Sequence, residues 1–213
     1  LPYFVLMNFL AHIYLSGDSE DILLGNFIAD MVKGKQIENF HQGIVDGFML
    51  HRKIDTFTDN HPIIEQSKIR IRNKYRLYSG VVVDMYYDHF LSKYWYDFSK
   101  QSLTRFVKQA YHILLKNYFL LPMRAKNVLP YMVASNWLVN YGDLDRLHGY
   151  FEGMAQRTMF KSGMEDAVED LVKYYDDFEN EFRTFFPELI TYVELQGISH
   201  AHHHNGGYFN TRL

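Results

Sequence analysis

The chain has 213 residues, 47% of them hydrophobic and 22% charged, with a formal net charge of −3. Such a length suits one domain able to bury roughly 70% of its unfolded surface, and the slightly acidic balance offers no general affinity for nucleic acid or an anionic membrane. Cysteine is absent, which excludes disulfides, thiolate catalysis and sulfur-ligated zinc and fits a reducing cytoplasm.

The opening residues, LPYFVLMNFLAHIYL, are apolar but carry no basic segment or small-residue cleavage site. They read as a buried first helix over 8–15 rather than a leader. Residues 1–6, ahead of Met7, read as an extension. Ser16-Gly17-Asp18 makes a turn whose side chains can cap a second helix over 20–32, stopping near Gly34. A third helix spans 42–59. Pro62 suits the first turn of a fourth, reaching Tyr78. Within it Lys68-Ile69-Arg70-Ile71-Arg72 alternates like a strand, yet Ile64, Ile71, Tyr75 and Tyr78 share a helical face. After Ser79-Gly80 come helices over 81–98, 103–117, 125–141, 144–157 and 165–185, punctuated by Pro122, Gly142-Asp143, Ser162-Gly163 and Pro187.

No stretch reads as a stable sheet, and no run reaches the ~18 apolar residues of a membrane helix. The 17 Tyr and 17 Phe read as an aromatic core, because no basic groove accompanies them. The expectation is an all-α fold, a compact irregular helical bundle forming one domain over 1–196, followed by a flexible tail over 197–213. That tail carries His200, His202, His203 and His204, a tract able to bind metal but also typical of a purification remnant or a solvated end.

The third helix places Ile44, Phe48, His51, Asp55 and Thr58 on one face. His51 and Asp55 thus interrupt an apolar stripe, and burying an imidazole and a carboxylate there is unfavourable without partners. Three other helices repeat the pattern with Asn8 and His12, Asn26 and Asp30, and Asp84 and Asp88. His89 follows Asp88 directly but points about 100° away around its helix. Each pair alone can be a satisfied core group or a cap. Four pairs within the first half of the chain are answered together by one shared metal centre. Imidazole with several carboxylates and no sulfur suits Mn, Mg, Fe or Zn, oxygen-rich sets leaning to Mn or Mg, and the number of candidates admits two ions. No Walker A loop, G-x-S-x-G elbow or H-E-x-x-H motif is present. A di-iron bundle needs two E-x-x-H motifs, and only Glu38 to His41 matches. Lys33, Lys35, Arg52, Lys53 and the run Lys68, Arg70, Arg72, Lys74, Arg76 lie in the same half as the pairs, whereas the last long helix is acidic. These are either ordinary solvated faces or a positive rim that attracts an anionic substrate or an acidic protein.

Met7-Asn8-Phe9-Leu10-Ala11-His12, Gly25-Asn26-Phe27-Ile28-Ala29-Asp30, His51-Arg52-Lys53-Ile54-Asp55, Thr58-Asp59 and Asp84-Met85-Tyr86-Tyr87-Asp88-His89-Phe90-Leu91 together resemble the acyl carrier protein phosphodiesterases. The resemblance runs in order from Met7 to about Tyr192. It implies a bacterial cytoplasmic enzyme, distantly related to the all-helical HD-domain metal phosphohydrolases. Such an enzyme hydrolyses the phosphodiester between 4′-phosphopantetheine and the serine of acyl carrier protein, with Mn²⁺ as the usual ion. The HD pattern has adjacent His-Asp ligands, whereas this chain has the order Asp88-His89, so ligands are not copied from that superfamily. On this reading His51, Asp55, Asp30 and Asp88 are the leading metal ligands. His12, Asp84 and His89 follow as ligands of a second ion or as bases. Asn8, Asn26 and Asp59 orient the ligands, and Arg52 either steadies the phosphate or points to solvent. The run Lys68 to Arg76 is the expected dock for the acidic carrier protein. Two rivals remain: an HD-type hydrolase of nucleotides or other small phosphoesters, and a non-catalytic helical scaffold.

Overall fold

The computed structural model describes residues 8–158 and 161–198. Residues 1–7 and the histidines of the tail lie outside the described residues. The chain is all helical, with no strand among the described residues. The first helices are α1 (Phe9–Leu15), α2 (Glu20–Ile28), α3 (Gln42–Asn60), α4 (Pro62–Tyr75), α5 (Ser79–Lys93) and α6 (Trp95–Phe98). Then come α7 (Leu103–Lys116), α8 (Met123–Ala134), α9 (Trp137–Asn140), α10 (Leu144–Ala155), α11 (Ala167–Lys173) and α12 (Tyr175–Leu195). None of them is long and apolar enough to cross a membrane.

Local chemistry starts several of these helices. Ser19 accepts from Ile22 N ahead of α2, with Glu20 and Asp21 in the first turn where the helix dipole favours negative charge. Pro62 opens α4, and Asp143 accepts from the amides of Asp145 and Arg146 at the start of α10. The second expected helix is shorter: α2 ends at Ile28 and a 3-10 turn, Ala29–Met31, carries Asp30. The fourth ends early as well, because Arg76 takes a positive φ of 51° and turns the chain.

Pro187 is a correction. It lies inside α12 rather than at its end. A proline removes one helical N–H, and this one lies on the exposed side of the helix. The buried ridge of Phe178, Phe182, Phe185, Phe186, Leu189 and Val193 carries the helix through. That ridge is part of an aromatic core. Phe182 stacks on Phe186 at 5.2 Å, and Tyr14 meets Trp95 edge-on at 5.5 Å.

The closest helix pairing is α2 against α3. A Cβ built on Gly25 would stand 2.0 Å from the Ile44 carbonyl oxygen, and one on Gly47 would stand 2.4 Å from that of Ile22. Only glycine permits this backbone approach, and it draws Asn26 towards the face of α3 that carries His51.

Candidate metal centre

Four elements meet beside that glycine contact. Asn26 (α2) lies between His12 (α1) and His51 (α3), its Oδ1 standing 2.8 Å from His12 Nδ1 and 3.0 Å from His51 Nδ1. The two rings stack with centroids 4.2 Å apart. Both Nε2 atoms face the same way. His12 Nε2 is 3.3 Å from an oxygen of Asp55, and His51 Nε2 is 3.2 Å from Asp55 and 3.3 Å from Asp30. Ligand atoms of His12, His51 and Asp55 all lie within 4.8 Å of one another, a group able to hold a metal ion.

Both Nε2 atoms are buried without a hydrogen-bond partner. With the Nδ1 hydrogens directed at Asn26, each neutral ring presents a lone pair towards carboxylate oxygens that are also lone-pair donors. Only a proton or a cation between them makes that arrangement favourable. The donor set fits a divalent ion. The imidazoles form the floor, at 3–4% exposed, while Asp30 (31%) and Asp55 (42%) stand at the open side.

The charges are coupled. Burial pulls the pKa of His51 down, but the nearby carboxylates of Asp30 and Asp55 outweigh it and push it up to about 9. His12 is pulled below the usual histidine range, first by burial and then by the charge on His51, against the pull of Asp55. The rings move in opposite directions because they share one carboxylate, which favours one imidazolium and not two. Burial pushes Asp55 up, yet the two imidazoles beside it hold it well below the usual carboxylate range. Asp84 is half-buried on α5, in the electrostatic field of Asp55, Asp59 and Asp30. Burial first, then Asp55, pushes its carboxyl up to about 7.

Other expected residues fall elsewhere. Asp88 is fully buried, and its two oxygens accept from Leu10 N (3.0 Å) and Ala11 N (2.9 Å). It caps α1, whose own Asn8 provides no side-chain cap. Each of its oxygens thus already holds one backbone N–H, and Asp88 lies outside the group formed by His12, His51 and Asp55. Asn8, Thr58, Asp84 and Asp88 line a cavity of about 20 Å³ beneath α1. His89 is directed away, as its neighbour on a helix must be. Its Nδ1 is 2.9 Å from the Tyr141 carbonyl and its Nε2 is 2.8 Å from the Tyr175 hydroxyl, which also accepts from Lys93. A buried imidazole with both nitrogens so occupied is neither base nor ligand here.

Asp59 pairs with Lys68 at 2.9 Å on the exposed side of α3. The basic run is another correction. Arg70 pairs with Glu181 and Asp177, Arg72 with Glu65, and Lys74 with Asp170 and Asp166. Arg70 and Lys74 are thus paired with acidic residues of the C-terminal part, and Lys68 and Arg72 with those of α3 and α4. Arg76 is exposed without an ion pair among the described residues, as are Lys33, Lys35 and Arg52. Sequence reasoning missed Ser16, which accepts from Asn26, and the glycine contact that positions Asn26. Isolated glycines within two helical patterns were the available signal.

A sequence model of the acyl carrier protein phosphodiesterase family matches residues 7–189. The chain belongs to this family. Relatives bearing that name include one from Escherichia coli O6:H1 strain CFT073, 35% identical over 188 residues, covering 86% of this chain and 96% of the relative. The relative from Escherichia coli strain K12 / DH10B is 34% identical over 196 residues, covering 90% of this chain and 100% of its own. No solved structure matches, so the HD-domain kinship keeps the standing of a resemblance. Within the family match lie all five residues of the centre, from His12 to Asp55.

Proposed function

We propose that the chain hydrolyses the phosphodiester joining 4′-phosphopantetheine to the acceptor serine of acyl carrier protein, releasing apo-acyl carrier protein. The single observation that carries the metal-dependent reading is the pair of orphaned, buried Nε2 atoms aimed at Asp55. His12, His51 and Asp55 would hold a divalent ion, with Asp30 completing the set, and Mn²⁺ is the preferred ion, ahead of Mg²⁺, Fe²⁺ or Zn²⁺. Bound there, such an ion would supply an activated water and would draw charge from the phosphoryl oxygens.

The remaining residues divide the other tasks. Asp84, with a carboxyl near neutrality, can hold the proton that the departing serine oxygen needs. Asp30 and Asp55 line the open side, where their exposure leaves room for a phosphate to approach. Arg52, exposed on α3 directly after His51, would take a phosphoryl oxygen. The acidic carrier protein would dock on the cations that no internal carboxylate occupies, Lys33, Lys35 and Arg52, rather than on the run from Lys68 to Lys74.

Incubation of the purified chain with holo-acyl carrier protein and Mn²⁺ tests the reading. The expected result is a mass loss matching the prosthetic group, abolished by a chelator. Turnover of a simple aryl phosphodiester with no change in holo-acyl carrier protein would instead assign a small-phosphoester hydrolase. Absence of both activities would overturn the enzyme reading.

A further inference from the structure

The most fully connected side chain at the centre belongs to a residue outside the ligand set. Asn26 is 1% exposed and uses its whole hydrogen-bonding capacity inside the protein. Its Nδ2 donates to the His12 carbonyl at 2.8 Å and to Ser16 Oγ at 3.0 Å, while Oδ1 faces both Nδ1 atoms. We propose that Asn26 is the positioning residue of the metal centre: one amide oxygen selects the Nδ1–H tautomer of His12 and His51 together, and so presents both Nε2 lone pairs to a single cation. This rests on the metal-dependent reading above.

The amide cannot turn over. Ser16 Oγ already donates its hydrogen to the His12 carbonyl at 2.8 Å, so it can only accept from Asn26. A flipped amide would set oxygen against the carbonyl oxygen and the hydroxyl lone pairs, and NH₂ against the ring N–H groups. The neighbouring helices hold it in place. Gly25 precedes Asn26 and Gly47 lies one turn before His51, and their contact brings a short side chain of α2 within reach of both rings. Without this acceptor the ring proton is free to sit on Nε2, where Asp30 and Asp55 stand ready to hold it. Each ion would then have to displace that proton. The tautomer of a histidine ligand is set by the bond its other nitrogen makes. A neutral amide does this for two rings without adding a third anion to Asp30 and Asp55.

Asn26→Leu and Asn26→Asp, both close in size to asparagine, separate positioning from packing. Leucine removes the acceptor, while aspartate keeps acceptors towards both Nδ1 atoms. Mn²⁺ titration of the full chain should show a loss of about 10–100-fold for Asn26→Leu, while Asn26→Asp, which keeps the acceptor but sets its second oxygen against the His12 carbonyl, should bind more tightly than Asn26→Leu. Long-range ¹H–¹⁵N NMR of the metal-free wild type should place the proton of His12 on Nδ1, and Asn26→Leu should move it to Nε2. Leucine binding Mn²⁺ within twofold of wild type, or a wild-type His12 protonated on Nε2, overturns the proposal. If the leucine variant does not fold, the wild-type NMR assignment decides alone. If wild type binds no divalent ion, the metal reading fails, and the same assignment still reports on Asn26.

Discussion

At the scale of single residues, the four polar pairs separate into two kinds of chemistry. His12, Asn26, His51 and Asp55 converge, while Asp88 accepts from the start of α1 and His89 bonds to Tyr141 and Tyr175. His51→Ala or Asp55→Ala should therefore abolish Mn²⁺ binding and hydrolysis together, read by elemental analysis and by mass of the carrier protein. Full metal occupancy in both variants would refute the ligand set. His89 carries a pH dependence of stability instead. Burial first holds its pKa down to about 4, against an unfolded value of ~6.5. The folded state thus refuses a proton that the unfolded state accepts. Its contribution is complete above ~6.5 and declines by on the order of 3 kcal/mol as pH falls through the folded value. Melting curves between pH 7 and about 4 should show this component in wild type and lack it in His89→Gln. The sequence made Asp88 and His89 candidates because both are polar within an apolar helix. Which carboxylate is a ligand and which a cap depends on whether a helix N-terminus from elsewhere reaches it, and periodicity holds no record of that.

At the scale of elements, the glycine contact between α2 and α3 decides the geometry of the site. Gly25→Ala or Gly47→Ala forces a methyl against a backbone carbonyl that has no rotamer to yield. Each should lower stability by about 3 kcal/mol and weaken Mn²⁺ binding by moving Asn26 away from His51. Gly149→Ala in α10, where an added Cβ meets nothing within 4 Å, should be stabilising by roughly 0.5–1 kcal/mol. Thermal melts of the three variants make the comparison. Helix positions were legible from apolar spacing and caps, as Ser19, Pro62 and Asp143 show. Pro187 misled, because it sits on the exposed side of a helix whose continuous apolar ridge is packed into the core.

At the scale of the whole molecule, charge is arranged so that the acidic C-terminal helices face the basic α4. Arg70 pairs with Glu181 at 2.7 Å and Lys74 with Asp170 at 2.8 Å. These pairs join α4 to α11 and α12, while Lys33, Lys35 and Arg52 are exposed without an ion pair among the described residues. Reversing Lys35 and Arg52 to Glu should raise KM for holo-acyl carrier protein several-fold at low salt, an effect that fades as salt screens the field. Reversing Arg72, whose exposed partner is Glu65, should leave KM unchanged and shift stability by no more than about 0.5 kcal/mol. Equal effects from both changes would return the dock to α4.

Length, composition and the spacing of apolar residues determined by themselves that this chain is all helical, with an aromatic core and polar pairs on buried faces. Those are properties of nearest neighbours along a helix, and local geometry transmits them directly. The motifs quoted from Met7 to Leu91 likewise sufficed for the family. Only the tertiary structure decided which pairs share a centre, that Asn26 faces two histidines at once, and that Arg70 and Lys74 of the basic run are engaged by C-terminal carboxylates. Each of those outcomes depends on distances between helices, which two glycines and a remote carboxylate set through contacts far apart in the chain.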